Sequence, residues 1–409
     1  MRGHATLAVA AVAALVTAVL VPPDTEYADY LDAKTLACLF GILAVVGAMR
    51  NAGMLDAAAR VLASRLATRR AAVLSLVGAT WVLSLFATND MALVVMLPLS
   101  AAALLRAGWD DLIPFAFVMQ NLVANLGGMV LPFGNPQNLY LYERYGIALG
   151  DFLAAMAAPF ALSLALVALC CVAFVHGDGG GARRGGCGGG AASDAARGRA
   201  GAAGAGVAEA GVPGAPADGQ GAQRAVPRGR AVAYVALFAL VVGSVLRLVP
   251  WPAALAACVL ALLALDRKAL LRVDWGLLLT FACFFVFAGN MARIPAVEEL
   301  LSEGMARAPL LVSAGASQVI SNVPAAVLLS HVTDAWQPLL VGVNVGGAGT
   351  LVASLASLIT FSHFCAVRRG FPRRAGLAAC TPAKFVALFS AFNFAFLAVL
   401  LLASSLLAG

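Results

Sequence analysis

The chain has 409 residues, of which 62% are hydrophobic and 11% charged, and its formal net charge is +7. Soluble domains carry about 25% charged residues, so the composition excludes a soluble enzyme or binding module. The positive charge does not indicate nucleic-acid binding, because the arginines sit in loops between apolar runs, as the positive-inside rule expects.

Several apolar runs are long enough to cross a hydrocarbon core about 30 Å thick. They are continuous rather than alternating, which argues against a β-barrel. An all-α polytopic membrane protein is expected. Residues 1–21 follow Arg2 as a first transmembrane helix entering from the cytoplasm; a cleaved signal peptide is the alternative. Acidic residues 24, 26, 29 and 32 suit an external loop. Residues 31–49 return, and Arg50, Arg60, Arg65, Arg69 and Arg70 mark the cytoplasmic side. Residues 54–66 form an amphipathic stretch suited to the interface, or alternatively a plain soluble connecting helix.

Residues 71–105 are apolar except for Thr88-Asn89-Asp90. Two spans with an exposed turn, or a re-entrant hairpin with a buried tip, both fit. No Gly or Pro is present to make an exposed turn, which favours the buried tip. Residues 113–130 form the next span. Leu131-Pro132-Phe133-Gly134-Asn135-Pro136-Gln137-Asn138 then breaks the helix. Such backbone is tolerated at depth only where protein or a water-filled cavity satisfies it. A half-helix runs from 139 to 144, and 152–175 closes a first transmembrane repeat over residues 1–175.

Residues 176–230 form a Gly/Ala/Arg-rich linker with no periodic apolar face, expected to be disordered and cytoplasmic. Residues 231–409 form a second repeat, with crossings over 231–249, 251–265, 274–292 and 385–407. Within it, 310–329 holds Ser321-Asn322-Val323-Pro324, and 339–364 holds a second break. Trp109, Trp251, Trp275 and Trp336 fall at run ends, as an interfacial belt would.

The two halves align. Residues 32–49 match 274–291, with Gly289 in the place of Gly47, and Thr88-Asn89 matches Ser321-Asn322. Residues 125–142 match 344–361 without a gap, pairing Gly127-Gly128 with Gly346-Gly347, Asn135 with Ser354 and Asn138 with Ser357. The extra crossing at 231–249 inverts the second half. Inverted repeats with paired helix breaks place a binding site at their shared axis.

A broken helix exposes N–H groups at one half-helix start, which suit an anion. It exposes carbonyls at the other half's end, which suit a hard cation. On this logic Thr88, Asn89, Gly127 and Asn135 form one cation site, and Ser321, Asn322, Gly346 and Ser354 its twin. Asn138 and Ser357, with the tip residues Asn89 and Asn322, hold substrate between them. Asp90 either ligates the coupling cation or carries a proton. A carboxylate at the bilayer centre costs about 2.5–3.5 kcal/mol, and its repeat partner is Val323. Pro324 can simply begin a helix.

Eight cysteines form no CxxC pair, and His4, His176, His331 and His363 lack metal-ligand spacing. No cofactor is expected apart from Na⁺ or H⁺ as coupling ion, and the sites include no metal other than Na⁺. No HExxH or Walker motif is present, so neither an enzyme nor an ATP-driven pump is indicated.

At these residues the chain resembles the ion transporter superfamily, which includes divalent-anion/sodium symporters, citrate transporters, arsenite permeases and a sodium/proton antiporter family. Thr88-Asn89-Asp90 and Ser321-Asn322-Val323 are similar to the Ser-Asn-Thr hairpin tips of dicarboxylate symporters. Gly134-Asn135-Pro136-Gln137-Asn138 is similar to their Gly-Thr-Pro-Pro-Asn segment. Asp90, Val323, Pro324 and Gly349-Thr350 lie closer to the arsenite-permease and antiporter branch. The resemblance implies re-entrant hairpins, a homodimer and an elevator-like motion. The expected function is secondary active transport of a small anion, di- or tricarboxylate-like or an inorganic oxyanion, coupled to Na⁺ or H⁺ by alternating access. The alternative is a Na⁺/H⁺ antiporter or arsenite-type efflux permease using Asp90. The expected location is a bacterial cytoplasmic membrane, with the N-terminus cytoplasmic.

Overall fold

The computed structural model describes residues 3–63, 68–175 and 228–408. The described residues form helices joined by turns, and eight of the helices are long and apolar enough to cross a membrane. Most of the 176–230 linker lies outside the described residues. Its last three residues do not belong to it, because Arg228 opens a helix.

In the first half, α1 (Gly3–Leu20) and the short α2 (Tyr27–Tyr30) precede α3 (Ala33–Asn51). Then follow α4 (Met54–Leu62), α5 (Arg69–Phe86), α6 (Asn89–Ala107), α7 (Ile113–Gly127), α8 (Pro136–Arg144) and α9 (Leu149–Phe174). The second half runs α10 (Arg228–Val245), α11 (Trp251–Leu265), α12 (Arg267–Leu271), α13 (Trp275–Ala292), α14 (Pro295–Arg307) and α15 (Pro309–Ile320). It ends with α16 (Asn322–Leu329), α17 (Trp336–Val345), α18 (Leu355–Gly370), α19 (Ala375–Ala379) and α20 (Pro382–Ala408). The acidic stretch around Glu298 and Glu303 is itself a helix, α14, started by Pro295 in its first turn, where a missing N–H costs nothing.

The matched stretches fold alike. Asp32 caps α3 by accepting the Thr35 N–H at 3.0 Å, and Asp274 caps α13 by accepting the Leu277 N–H at 2.9 Å. Each satisfies a donor that the first helical turn leaves unpaired. The correspondence stops at the matched glycines. A Cβ on Gly289 would press into the Tyr30 ring, whereas one on Gly47 would meet nothing within 4 Å.

Helix α7 is the centre of the bundle: every residue but Phe115 is buried. It packs on α5, α6, α9 and α18. Helix α9 is apolar nearly throughout, yet buries only the stripe Phe152, Met156, Pro159, Ser163, Val167 and Cys171. That three-to-four spacing seats one face on the protein and leaves the rest apolar and outward, as lipid contact requires. Helix α1 lies along α13, and the Asn290 amide reaches the Thr17 hydroxyl at 3.3 Å.

One cluster was not foreseen from sequence. The Glu143 side chain, 3% exposed at the end of α8, meets Lys34 at 2.5 Å and Arg247 at 3.6 Å. Arg247 takes a left-handed backbone (φ 63°) and donates to the Tyr142 and Ile147 carbonyls at 2.7 and 3.2 Å.

The contrast between the matched glycines is measurable. Gly289→Ala should destabilise by about 1–3 kcal/mol through overpacking against Tyr30. Gly47→Ala should be neutral or stabilise by up to about 1 kcal/mol, since a helical glycine is replaced in open space. Thermal melting of the two purified variants in detergent, side by side, checks both signs.

Candidate functional site

Four helix interruptions meet in the interior: α5 to α6 at Thr88, α7 to α8 around Gly134, α15 to α16 at Ser321, and α17 to α18 around Gly349. In the first, Thr88 and Asn89 are buried, so the tip is enclosed by protein. In the third, Ser321 adopts φ 73°. Its hydroxyl and the Asn322 N–H both donate to the Ala353 carbonyl, at 3.3 and 3.0 Å.

Two asparagines knit these breaks together. Asn125 Oδ1 accepts the Asn89 amide at 3.0 Å and the Ser354 hydroxyl at 2.9 Å, while its carbonyl accepts the Asn135 amide at 3.4 Å. Asn344 Oδ1 accepts Asn135 at 3.4 Å and Gln137 at 3.2 Å, and Asn344 Nδ2 donates to Asn138 Oδ1 at 2.6 Å. Asn138 in turn donates to the Met129 and Leu131 carbonyls at 3.0 and 3.1 Å. Asn89, Asn135, Asn138 and Ser354, assigned from sequence to separate sites, therefore share one hydrogen-bonded network spanning both halves.

The remaining assigned residues surround it. Gly127 ends α7 against Trp81 and Ser84, and Gly346 follows α17 against Ala314 and Ser317. Ser84 precedes Asn89 by the same interval as Ser317 precedes Asn322, so the two glycines serve the same close approach in each half. Ser357 does not meet Asn138; it accepts the Asn121 amide at 3.4 Å, and Asn121 Oδ1 accepts the Thr360 hydroxyl at 3.2 Å. Asp90 sits in the first turn of α6, where its N–H donates to Asn89 Oδ1 at 2.9 Å. His331 is exposed on the turn after α16, and His363 lies within α18.

The hubs Asn125 and Asn344, together with Asn121, Gln137 and Gln318, carry no assignment from sequence. Asn125 and Asn344 were findable, because they open the repeated phrase and pair with each other in the alignment.

The electrostatics are those of helix ends. Helices α6, α8 and α18 begin at this network, and α16 begins beside it, its Asn322 N–H on the carbonyl of Ala353, the residue before Ser354, so four partially positive N-termini lie in this region. No lysine or arginine is fully buried among the described residues. Three buried polar atoms near it lack partners: Asp90 Oδ1, Asn135 Oδ1 and Asn125 Nδ2. Among the described residues no group of three or more His, Cys, Asp or Glu could hold a metal ion. The arrangement can hold a small solute by N–H and amide donors, and a hard cation by carboxylate and amide oxygens.

Apolar helices enclosing a buried polar network at paired helix breaks define an integral membrane transporter. The citrate transporter family model matches residues 2–361. The chain belongs to that family. It is 30% identical over 334 residues to the inner membrane protein YbiR of Escherichia coli (strain K12), covering 80% of this chain and 79% of that one. The uncharacterized transporter MJ0456 of Methanocaldococcus jannaschii is 28% identical over 344 residues, 82% of each chain. The silicon efflux transporter LSI3 of Oryza sativa subsp. japonica is 30% identical over 167 residues, 39% of this chain and 33% of its own.

Replacing a hub should cost more than replacing a spoke. Asn344→Ala strips partners from Asn135, Gln137 and Asn138 together, and should destabilise by about 2–3 kcal/mol. Ser357→Ala removes one long hydrogen bond and should cost about 1 kcal/mol or less. Equal losses in detergent melting would show that the network is not organised around Asn344.

Proposed function

We propose that the protein is a secondary active transporter of a small anion, di- or tricarboxylate-like or an inorganic oxyanion, driven by Na⁺ or H⁺ through alternating access. The observation that carries this reading is the gathering of four half-helix N-termini at or beside one amide network built from both halves. An anion gains there from the oriented N–H groups without a fixed cation holding it permanently. Asn89, Asn138, Asn322 and Ser357 are the proposed solute contacts. Thr88, Asp90, Gly127 and Asn135 are the proposed cation contacts, with Ser321, Gly346 and Ser354 in the corresponding place in the second half. The halves act as inverted repeats, with α5–α6 and α15–α16 as re-entrant hairpins, in a homodimer in a bacterial cytoplasmic membrane with the N-terminus cytoplasmic. The protein performs no covalent chemistry.

A second reading is favoured by one feature. Asp90 carries a buried oxygen with no partner, which suits a Na⁺/H⁺ antiporter or an arsenite-type efflux permease. The silicon efflux relative adds small inorganic solutes to the export panel.

Proteoliposome flux with wild type and Asp90→Asn separates these readings. The panel is dicarboxylates, citrate, sulfate, arsenite and silicic acid, each under imposed Na⁺ and pH gradients. Cation-driven anion uptake by wild type supports the first reading. Absence of anion uptake, with Na⁺/H⁺ exchange or solute export abolished in Asp90→Asn, replaces it with the second.

A further inference from the structure

We infer that the second broken helix carries its own built-in substitute for a cation, the side-chain amide of Gln318, and that the coupling ion is held in the first half alone. This rests on the transporter reading above and narrows its site.

The carbonyls released at the end of α17 are already engaged. Gln318 Nε2 donates to the Gly346 carbonyl at 2.7 Å, to Ala348 at 3.1 Å and to Ala314 at 3.2 Å. Gln318 Oε1 accepts the Thr350 N–H at 2.8 Å, and the Thr350 hydroxyl donates back to the Gln318 carbonyl at 2.9 Å. Three carbonyl oxygens on one side and an N–H on the other admit only this orientation of the amide. Gly349, at φ 131°, has no Cβ, and a Cβ there would collide with the Gln318 amide. The break is shaped around this side chain. A donor bearing partial positive charge, surrounded by carbonyl oxygens, sits where a hard cation otherwise would.

The other expected ligands in this half are spent too. The Ser354 oxygen already accepts the Ala356 N–H at 3.1 Å while its proton goes to Asn125, the Ser321 hydroxyl is turned onto the Ala353 carbonyl, and Val323 stands in the place of Asp90.

The first half differs in what fills its break. Leu85 occupies the place of Gln318 and Leu131 that of Thr350, and the carbonyls of Met129, the counterpart of Ala348, and of Leu131 are met instead by the Asn138 amide from the following half-helix. Asp90 Oδ1 and Asn135 Oδ1 are buried acceptors without partners. Unpaired buried oxygens in one half, against a tethered donor in the other, are what one cation site and one closed site look like.

The test is thermal melting of purified protein in NaCl against choline chloride at equal ionic strength, for wild type, Gln318→Glu and Gln318→Lys. A carboxylate among carbonyls needs a counter-ion, so Gln318→Glu should gain a Na⁺-dependent rise about 4 °C or more above that of wild type. Gln318→Lys supplies a tethered ammonium and should melt within about 2 °C of wild type in choline, with no added Na⁺ response. A Gln318→Glu protein that folds only in Na⁺ also supports the proposal. A Na⁺ response in Gln318→Glu equal to that of wild type overturns it, as does collapse of Gln318→Lys in both salts. In proteoliposomes, the driving cation should show a Hill coefficient of about one in wild type; a value near two counts against a single site. If no solute or ion moves at all, the transporter reading fails, while the melting series still decides the role of Gln318.

Discussion

Interrupted helices inside an apolar bundle impose one constraint on everything else here: every released N–H and C=O must find a partner within the protein. Asparagine is suited to this. Its amide donates and accepts at once, carries no net charge, and is short enough to hold a fixed geometry. Asn138 ties Met129 and Leu131 on one side and Asn344 on the other. Asn125 joins the start of α6 to the start of α18. The breaks of the two halves are bonded to each other through Ser354 and Asn125 and through Asn135, Gln137, Asn138 and Asn344, so the polar interior is built from both halves together.

The halves share a plan but not a chemistry. Along α7, Gln120 donates to Thr80 and Ser100, both at 2.8 Å, and Asn121 joins Ser357 and Thr360. The aligned positions on α17 are Leu339 and Leu340. The first half therefore has a buried polar face one turn longer than the second, and the only aspartate at a tip. The second half compensates with Gln318, which stiffens its break from within.

The helical membrane class, the polar knots and the paired breaks were legible in the sequence because they contrast with apolar surroundings. Thr88-Asn89-Asp90 stands out in a long run of carbon. The network was less legible. Asn125 and Asn344 were read as markers of the repeat, since an amide two residues before a glycine pair says nothing about what it will face across the bundle. Ser357 was placed with Asn138 by symmetry, whereas the fold sends it to Asn121. Sequence alignment assigns equivalent positions, but the partners of those positions come from the opposite half, which no single-strand reading supplies. Gln318 does not stand out, because a glutamine beside a knot resembles any polar flank until its three carbonyl partners are seen.

Helix α8 gives the network a mechanical consequence. It is nine residues long, about 14 Å at the α-helical rise, and has no proline or glycine inside to bend it. At one end Asn135 and Asn138 belong to the polar network. At the other, Glu143 is held by Lys34 of α3 and by Arg247 beyond α10. Tyr140 and Tyr145 fasten the same end to the turn after α16, at Ser330 and Thr333. A short stiff rod pinned at both ends transmits displacement rather than absorbing it. Any rearrangement of the network that moves α8 must either carry α3 and the α10–α11 turn with it or separate Glu143 from its cations. Glu143 is buried whereas Lys34 and Arg247 are partly exposed, so the cost of separation falls on the carboxylate, left buried without a counter-charge. The cluster around Glu143 thus sets a barrier to motion at the site from the far end of the helix, without touching whatever the site holds.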